Sequence, residues 1–132
     1  MNKEQLLEKL NELNFPVGDY YLLSSGCLML YGMREIIQDI DLCISEQLFS
    51  LIKDRYGLTD IKKNEYGFYK VNDWLEVIVN EKDTLKYDMK ENIPVEELTT
   101  ILDFKIKRNA DKDKEDIANI KKYIYENKIK QE

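Results

Sequence analysis

The sequence predicts an α+β fold, with helices packed on a mixed β-sheet and further helices at the C-terminus. Three observations predict it: apolar residues at helical spacing near both ends, short apolar runs bounded by turn residues, and an alternating stretch from residue 58 to 80. A length of 132 residues suits a single domain, 1–132, built on one core. With 43% hydrophobic and 35% charged residues, five Gly and two Pro, order is expected almost throughout.

The elements follow in order. Residues 3–14 set Leu6, Leu7, Leu10 and Leu13 on one helical face, and Pro16 and Gly18 break the pattern. "YYLLS" (20–24) suits a short buried strand, "GCLMLYG" (26–32) a short helix ending at Gly32, and "DIDLCI" (39–44) a second strand. Residues 46–55 read as a helix capped by Ser45, with Leu48 and Leu51/Ile52 on one face and Gly57 past its end. From Leu58 to Asn80, turn signals at Asn64 to Gly67 and at Asn72-Asp73 divide the alternation into two or three antiparallel strands. The polar stretch 81–92 is expected to cross the surface. Ile93-Pro94 is expected to open a helix, with Glu96 and Glu97 in its first turn, that runs to about Arg108. The last helix is expected from near Asp111, with Ile117, Ile120 and Ile124 at helical spacing, fraying into a charged tail.

Composition removes several functional classes. A formal charge of -6 argues against a general nucleic-acid coat and leaves room only for a local basic patch, expected in the C-terminal third. The charged first residues lack the apolar core of a signal peptide and no stretch has membrane length, so a cytoplasmic location without membrane association is expected. Cys27 and Cys43 lie among apolar neighbours and read as buried, reduced thiols rather than a disulfide. With no His, histidine-based catalysis is excluded and a zinc site is not expected, which leaves carboxylates, Lys, hydroxyls or a hard metal to carry any chemistry.

Asp39 and Asp41 stand in an apolar run. On a strand they project to one face while Ile40 and Leu42 point to the other. Two carboxylates this close repel unless cations, hydrogen bonds or protonation offset the cost. Magnesium meets that need, because it accepts carboxylate oxygens and completes its shell with waters and substrate phosphates. A pair of such ions can clamp the attacking and leaving oxygens of a phosphoryl transfer. Glu76, between Leu75 and Val77, is the best third acid, with Asp73 in a turn the weaker choice. Ser24, Ser25 and Gly26 supply hydroxyls and backbone N–H groups where the first strand meets the short helix, a suitable anion seat.

This order resembles the nucleotidyltransferase superfamily related to DNA polymerase β. The family pattern h-G-[GS], a gap, then D-h-[DE]-h is matched by "LSSG" (23–26) and "DIDL" (39–42). "SSGCLMLYGMREIIQDIDL" is most similar to the small prokaryotic members, including the toxin-antitoxin and abortive-infection nucleotidyltransferases. "LDFKIKRNADKDKEDI" is similar to the later helices of the family. The resemblance implies a nucleotidyltransferase fold and transfer of a nucleoside monophosphate from an NTP, with ATP the expected donor, to a hydroxyl of a protein, an RNA or a small molecule. It further implies that Asp39, Asp41 and Glu76 bind two magnesium ions, that Glu76 helps deprotonate the attacking hydroxyl, and that Ser25 and Gly26 hold phosphates. Lys105 would contact the triphosphate or stabilise transition-state charge. Pyrophosphate would leave.

Plainer readings stand beside these. Arg34 is expected either at phosphate or in an ion pair with Asp39 or a neighbouring Glu; on spacing alone Lys105 reads as solvated. Asp113 and Asp116 are expected to cap a helix or to pair with Lys112 and Arg108. Tyr66, Phe68, Tyr69 and Trp74 are expected to pack on the sheet rather than to stack a ligand. Three classes thus compete: a magnesium-dependent transferase, an inactive nucleotidyltransferase-fold module serving as an antitoxin-like or regulatory partner, and a purely structural domain. A homodimer or a hetero-partner is expected to help hold the acceptor.

Overall fold

A computed structural model describes residues 1–81 and 84–131, with side chains through residue 128. Helix α1 (Lys3–Leu13) opens on a reciprocal cap. The Asn2 side chain accepts from the Gln5 N–H, and the Gln5 side chain accepts from the Asn2 N–H, both at 2.9 Å. It closes on Asn14 in the left-handed region. Leu6, Leu10 and Leu13 are its buried positions, as their spacing predicts.

Strand β1 (Tyr20–Leu22), helix α2 (Ser24–Leu30), strand β2 (Ile40–Ser45) and helix α3 (Glu46–Arg55) follow, close to expectation. Ser45 caps α3 by accepting from the Leu48 N–H at 3.1 Å, and Gly57 takes a positive φ of 61° beyond its end. The difference lies at Ser24 to Gly26, which form the first turn of α2 rather than a loop before it.

The alternating stretch contains β3 (Tyr69–Lys70) and β4 (Leu75–Asn80) as an antiparallel pair. Asn72 turns the chain between them, its side-chain oxygen accepting from the Trp74 and Leu75 N–H groups at 2.9 Å.

The next segment corrects the sequence reading. The polar stretch carries β5 (Asp88–Lys90), while Lys82 and Asp83 within it lie outside the described residues. Ile93-Pro94 does not open a helix; it belongs to β6 (Ile93–Val95). Glu91 and Asn92, with φ of 53° and 67°, form a tight turn that suits the twist of a hairpin. Pro94 biases Ile93 away from helical angles. Val95 then pairs with Leu22, and the Glu96 N–H donates to the Leu22 carbonyl at 2.9 Å.

The described residues thus form a mixed α+β structure with a six-stranded sheet, in the order β3-β4-β2-β1-β6-β5. β2 runs parallel to β4 and antiparallel to β1. Ile40, Leu42, Ile44, Leu75 and Val77 share one sheet face and are almost fully buried. Each such side chain contributes about 1.5–3 kcal/mol. The opposite face carries Asp41, Cys43, Glu76 and Ile78.

By its contacts the chain divides into two compact units, Met1–Glu96 and Glu97–Glu132. The second holds α4 (Leu98–Arg108), a 3-10 turn (Asp111–Asp113) and α5 (Lys114–Gln131). Helix α4 therefore starts later than Pro94 suggested. The expected fraying tail reaches Glu132, which lies outside the described residues. Among the described residues no helix is long and apolar enough to cross a membrane.

Candidate active site

Strand pairing assembles the acids. Asp41 on β2 lies directly beside Glu76 on β4 in parallel register, so both carboxylates rise from the same sheet face. Asp39 immediately precedes β2 and is exposed. Burial, with the charges of Glu76 and then Asp39 added, pushes the Asp41 carboxyl from its ordinary 3.8 up to about 6. Among the described residues, the Asp41 Oδ1 atom is the buried side-chain polar atom left without a hydrogen-bond partner. Such an oxygen costs on the order of 1–3 kcal/mol unless something polar reaches it.

A cleft of about 400 Å³ opens at Asp39 and Asp41, which line it with Ser25, Arg34, Gln38, Ile36 and Ile37; Glu76 is not part of its lining. Four of the residues singled out in the sequence therefore share one hollow. Asp41 has an unpartnered buried oxygen, Asp39 lines the same cleft, and Glu76 stands beside Asp41 in the strand register. Among the described residues no three Cys, Asp or Glu side chains stand close enough together to form a metal-holding group as they are placed here.

Ser24 and Gly26 have other work. The Ser24 N–H, the first of α2, donates to the Glu96 Oε1 atom at 3.1 Å. Glu96 was expected in the first turn of its own helix; its carboxylate sits instead at the N-terminus of α2. Gly26 is buried, and a Cβ there would stand 2.7 Å from the Leu22 Cδ1 atom and 2.9 Å from its Cγ atom. Leu22 is fully buried in the core. Glycine at 26 is thus required by the approach of α2 to β1. Gly26→Ala is expected to lower stability by about 1–3 kcal/mol in urea unfolding, with the Tm falling in step.

Lys105 belongs to the second unit, and it is buried rather than solvated. Its Nζ atom lies 3.2 Å from both the Asp113 Oδ1 and the Asp116 Oδ2 atoms. The Arg108 Nε atom donates to the Asp113 Oδ2 atom at 2.8 Å. The Arg108 hydrogen bond, with Lys105 helping, holds the Asp113 carboxyl well below the usual carboxylate range. Asp113 thus pairs with Arg108 as expected and with Lys105 in place of Lys112, which is exposed.

Both cysteines are buried and unbonded to one another, as expected. Burial first, then the charges of Glu96 and Asp88, push the Cys27 thiol up to about 12. Cys27 is therefore expected to resist thiol reagents until the protein unfolds, which a timed titration in rising urea would show.

Lys70 was not singled out in the sequence. It sits on β3 opposite Glu76, extending the row Asp41–Glu76–Lys70 across three strands. The signal was present, since residues 70 and 76 are equidistant from Asp73 across the turn, but only a known register makes it usable. The aromatics divide. Tyr69 packs on Phe49 with ring centroids 4.6 Å apart, and the Trp74 ring carries Lys9 Nζ at 4.5 Å. Tyr66, expected to pack, is 75% exposed.

No family model, curated protein or solved structure matches this chain.

Proposed function

We propose that the chain is a magnesium-dependent nucleotidyltransferase that moves a nucleoside monophosphate from an NTP, ATP by preference, to a hydroxyl acceptor. The supporting observation is the buried, unpartnered oxygen of Asp41, beside Asp39 and in register with Glu76, at a cleft that Ser25 and Arg34 also line. The mixed α+β architecture is compatible with the nucleotidyltransferase fold that the sequence resembles.

On this reading Asp39, Asp41 and Glu76 would hold the magnesium, which would neutralise the triphosphate and the acids themselves. The Ser25 hydroxyl and the Arg34 guanidinium, which line the same cleft, would meet the phosphate oxygens. Glu76 accepts the proton of the acceptor hydroxyl as its oxygen attacks the α-phosphorus; the bond to the β-phosphate oxygen breaks and pyrophosphate leaves. Of the N-terminal group, Ser25 carries the phosphate role, since the Ser24 N–H holds Glu96 and Gly26 serves packing. Lys105 is assigned to its ion cluster rather than to the triphosphate, because its charge already holds two carboxylates.

A second reading is a catalytically inactive nucleotidyltransferase-fold module that serves as an antitoxin-like or regulatory partner, its acids sensing nucleotide without turnover. It draws on Glu96, whose carboxylate already accepts from the first N–H of α2.

Thermal unfolding tests the shared premise. Magnesium with an NTP is expected to raise the Tm by several degrees, with Asp41→Asn abolishing the rise. An unchanged Tm for every NTP would count against both readings and favour a purely structural role.

A further inference from the structure

One wall of the cleft is a loop. Residues 31–39 join α2 to β2 without helix or strand, and Arg34, Ile36, Ile37, Gln38 and Asp39 all line the cleft. The loop begins fastened to α2, where the Gly32 and Met33 N–H groups donate to the Met29 and Leu28 carbonyls at 3.0 and 2.9 Å. It ends at the sheet, where the Ile40 N–H donates to the Trp74 carbonyl at 2.8 Å. Between these points, among the described residues, the backbone of 34–39 is held by Met1. The Ile37 N–H donates to the Met1 carbonyl at 2.9 Å, and the Met1 nitrogen donates back to the Ile37 carbonyl.

Both sides of this pair are themselves fixed. Ile37 is 3% exposed, so its side chain anchors the middle of the loop in the core, while Ile36 beside it is 72% exposed. Met1 is half-buried and immediately precedes the reciprocal Asn2–Gln5 cap of α1, a helix seated in the core through Leu6. A loop restrained only at its ends samples many arrangements, and a ligand that needs one of them bears the ordering cost on binding. Pinning the middle removes that cost in advance. Asp39 lies two residues after the pinned position and Arg34 three before it, so both inherit the restraint.

Resting on the nucleotidyltransferase reading, we propose that Met1 is a positioning residue, whose backbone clamps the loop 34–39 so that Arg34 and Asp39 stand ready for a magnesium-bound triphosphate. Helix α1 thereby acts on a cleft that none of its own residues lines. The clamp is made of backbone atoms, so it depends on the presence of a residue at position 1 and not on its side chain.

The test compares the parent chain with two variants released from a cleavable N-terminal fusion, one lacking Met1 and one carrying Met1→Ala. Two quantities are read: hydrogen exchange at the Ile37 amide, and the magnesium-ATP concentration that gives half of each chain's own rise in Tm. Loss of Met1 is expected to speed Ile37 exchange about tenfold or more, because the amide has lost its acceptor. It is also expected to raise the half-maximal magnesium-ATP concentration about fivefold or more, because a smaller fraction of the chain holds the binding-competent loop. Met1→Ala should match the parent in both. If the shortened chain does not fold, Asn2→Ala takes its place; removing the cap beside Met1 should speed Ile37 exchange about fivefold and weaken magnesium-ATP in the same direction. A half-maximal concentration that is unchanged or lowered in the shortened chain, or in Asn2→Ala where that replaces it, would overturn the proposal and leave the nucleotidyltransferase reading intact. So would a Met1→Ala chain as impaired as the shortened one. A parent chain with no response to magnesium-ATP would overturn that reading and the positioning role with it, whatever Ile37 exchange shows.

Discussion

Asp41→Asn is expected to abolish magnesium-dependent nucleotide transfer and, at neutral pH, to make the protein more stable. The loss of activity follows from removing a charged donor from the proposed metal site. The gain in stability follows from the folded state's effect on the same group. Asp41 titrates near 6 when folded, against 3.8 in its ordinary setting, because burial and two acidic neighbours disfavour its charge. Folding therefore favours the protonated form. Above about pH 6 the charged carboxylate lowers stability; as pH falls from about 6 to about 4 the folded state takes up the proton first and the cost is relieved. Discounted for partial solvent access, the shift amounts to about 1–3 kcal/mol at pH 7. Asparagine carries no such charge. Urea unfolding between pH 4 and 8 is expected to show a stability rise toward acid in the parent protein that is smaller in Asp41→Asn. Magnesium and the proton compete for this carboxylate, so metal affinity should weaken below about pH 6.

The second large effect is expected in the C-terminal unit. Lys105→Met should destabilise the protein by on the order of 3 kcal/mol, because it removes one partner of a buried ion cluster and leaves Asp113 and Asp116 with less compensation. Lys105→Arg keeps the charge but not the shape, and should cost less. If Lys105 served the triphosphate alone, Lys105→Met would lower NTP affinity and leave urea unfolding unchanged. The cluster also sets an acid limit. Asp113 is held below its ordinary range, so its contribution is present above about pH 4 and is lost as pH falls through its lower folded value.

The parts of the site that could be read from sequence were those encoded locally. The alternation Asp39-Ile40-Asp41-Leu42 shows two acids on one side of a strand before any partner strand is known. Glu76 stands out for the same reason, an acid between residues that must be buried. Their adjacency was not legible, because the register of β2 against β4 joins segments far apart in the chain. Ile93-Pro94 misled because proline followed by two acids is a sound helix start; the competing signal, Glu91-Asn92 as a two-residue hairpin turn, shows itself only when Lys90 and Ile93 pair. Ser24 to Gly26 matched a phosphate turn in residue type, yet Gly26 answers to Leu22 and Ser24 to Glu96, partners set by tertiary packing. Lys105 read as solvated because nothing local says that α4 and the turn at Asp113 bring two carboxylates to its ammonium group.

The proposed activity is transfer of nucleotide at the acid face. Its most direct measurement is incubation of the chain with α-labelled ATP, GTP, CTP or UTP, magnesium, and a mixture of RNA and protein acceptors. Covalent label on an acceptor is predicted, with pyrophosphate released in equal amount, and with both lost in Asp41→Asn and in Glu76→Gln. Label transfer that persists undiminished in Asp41→Asn, or no transfer from any of the four triphosphates, would contradict it.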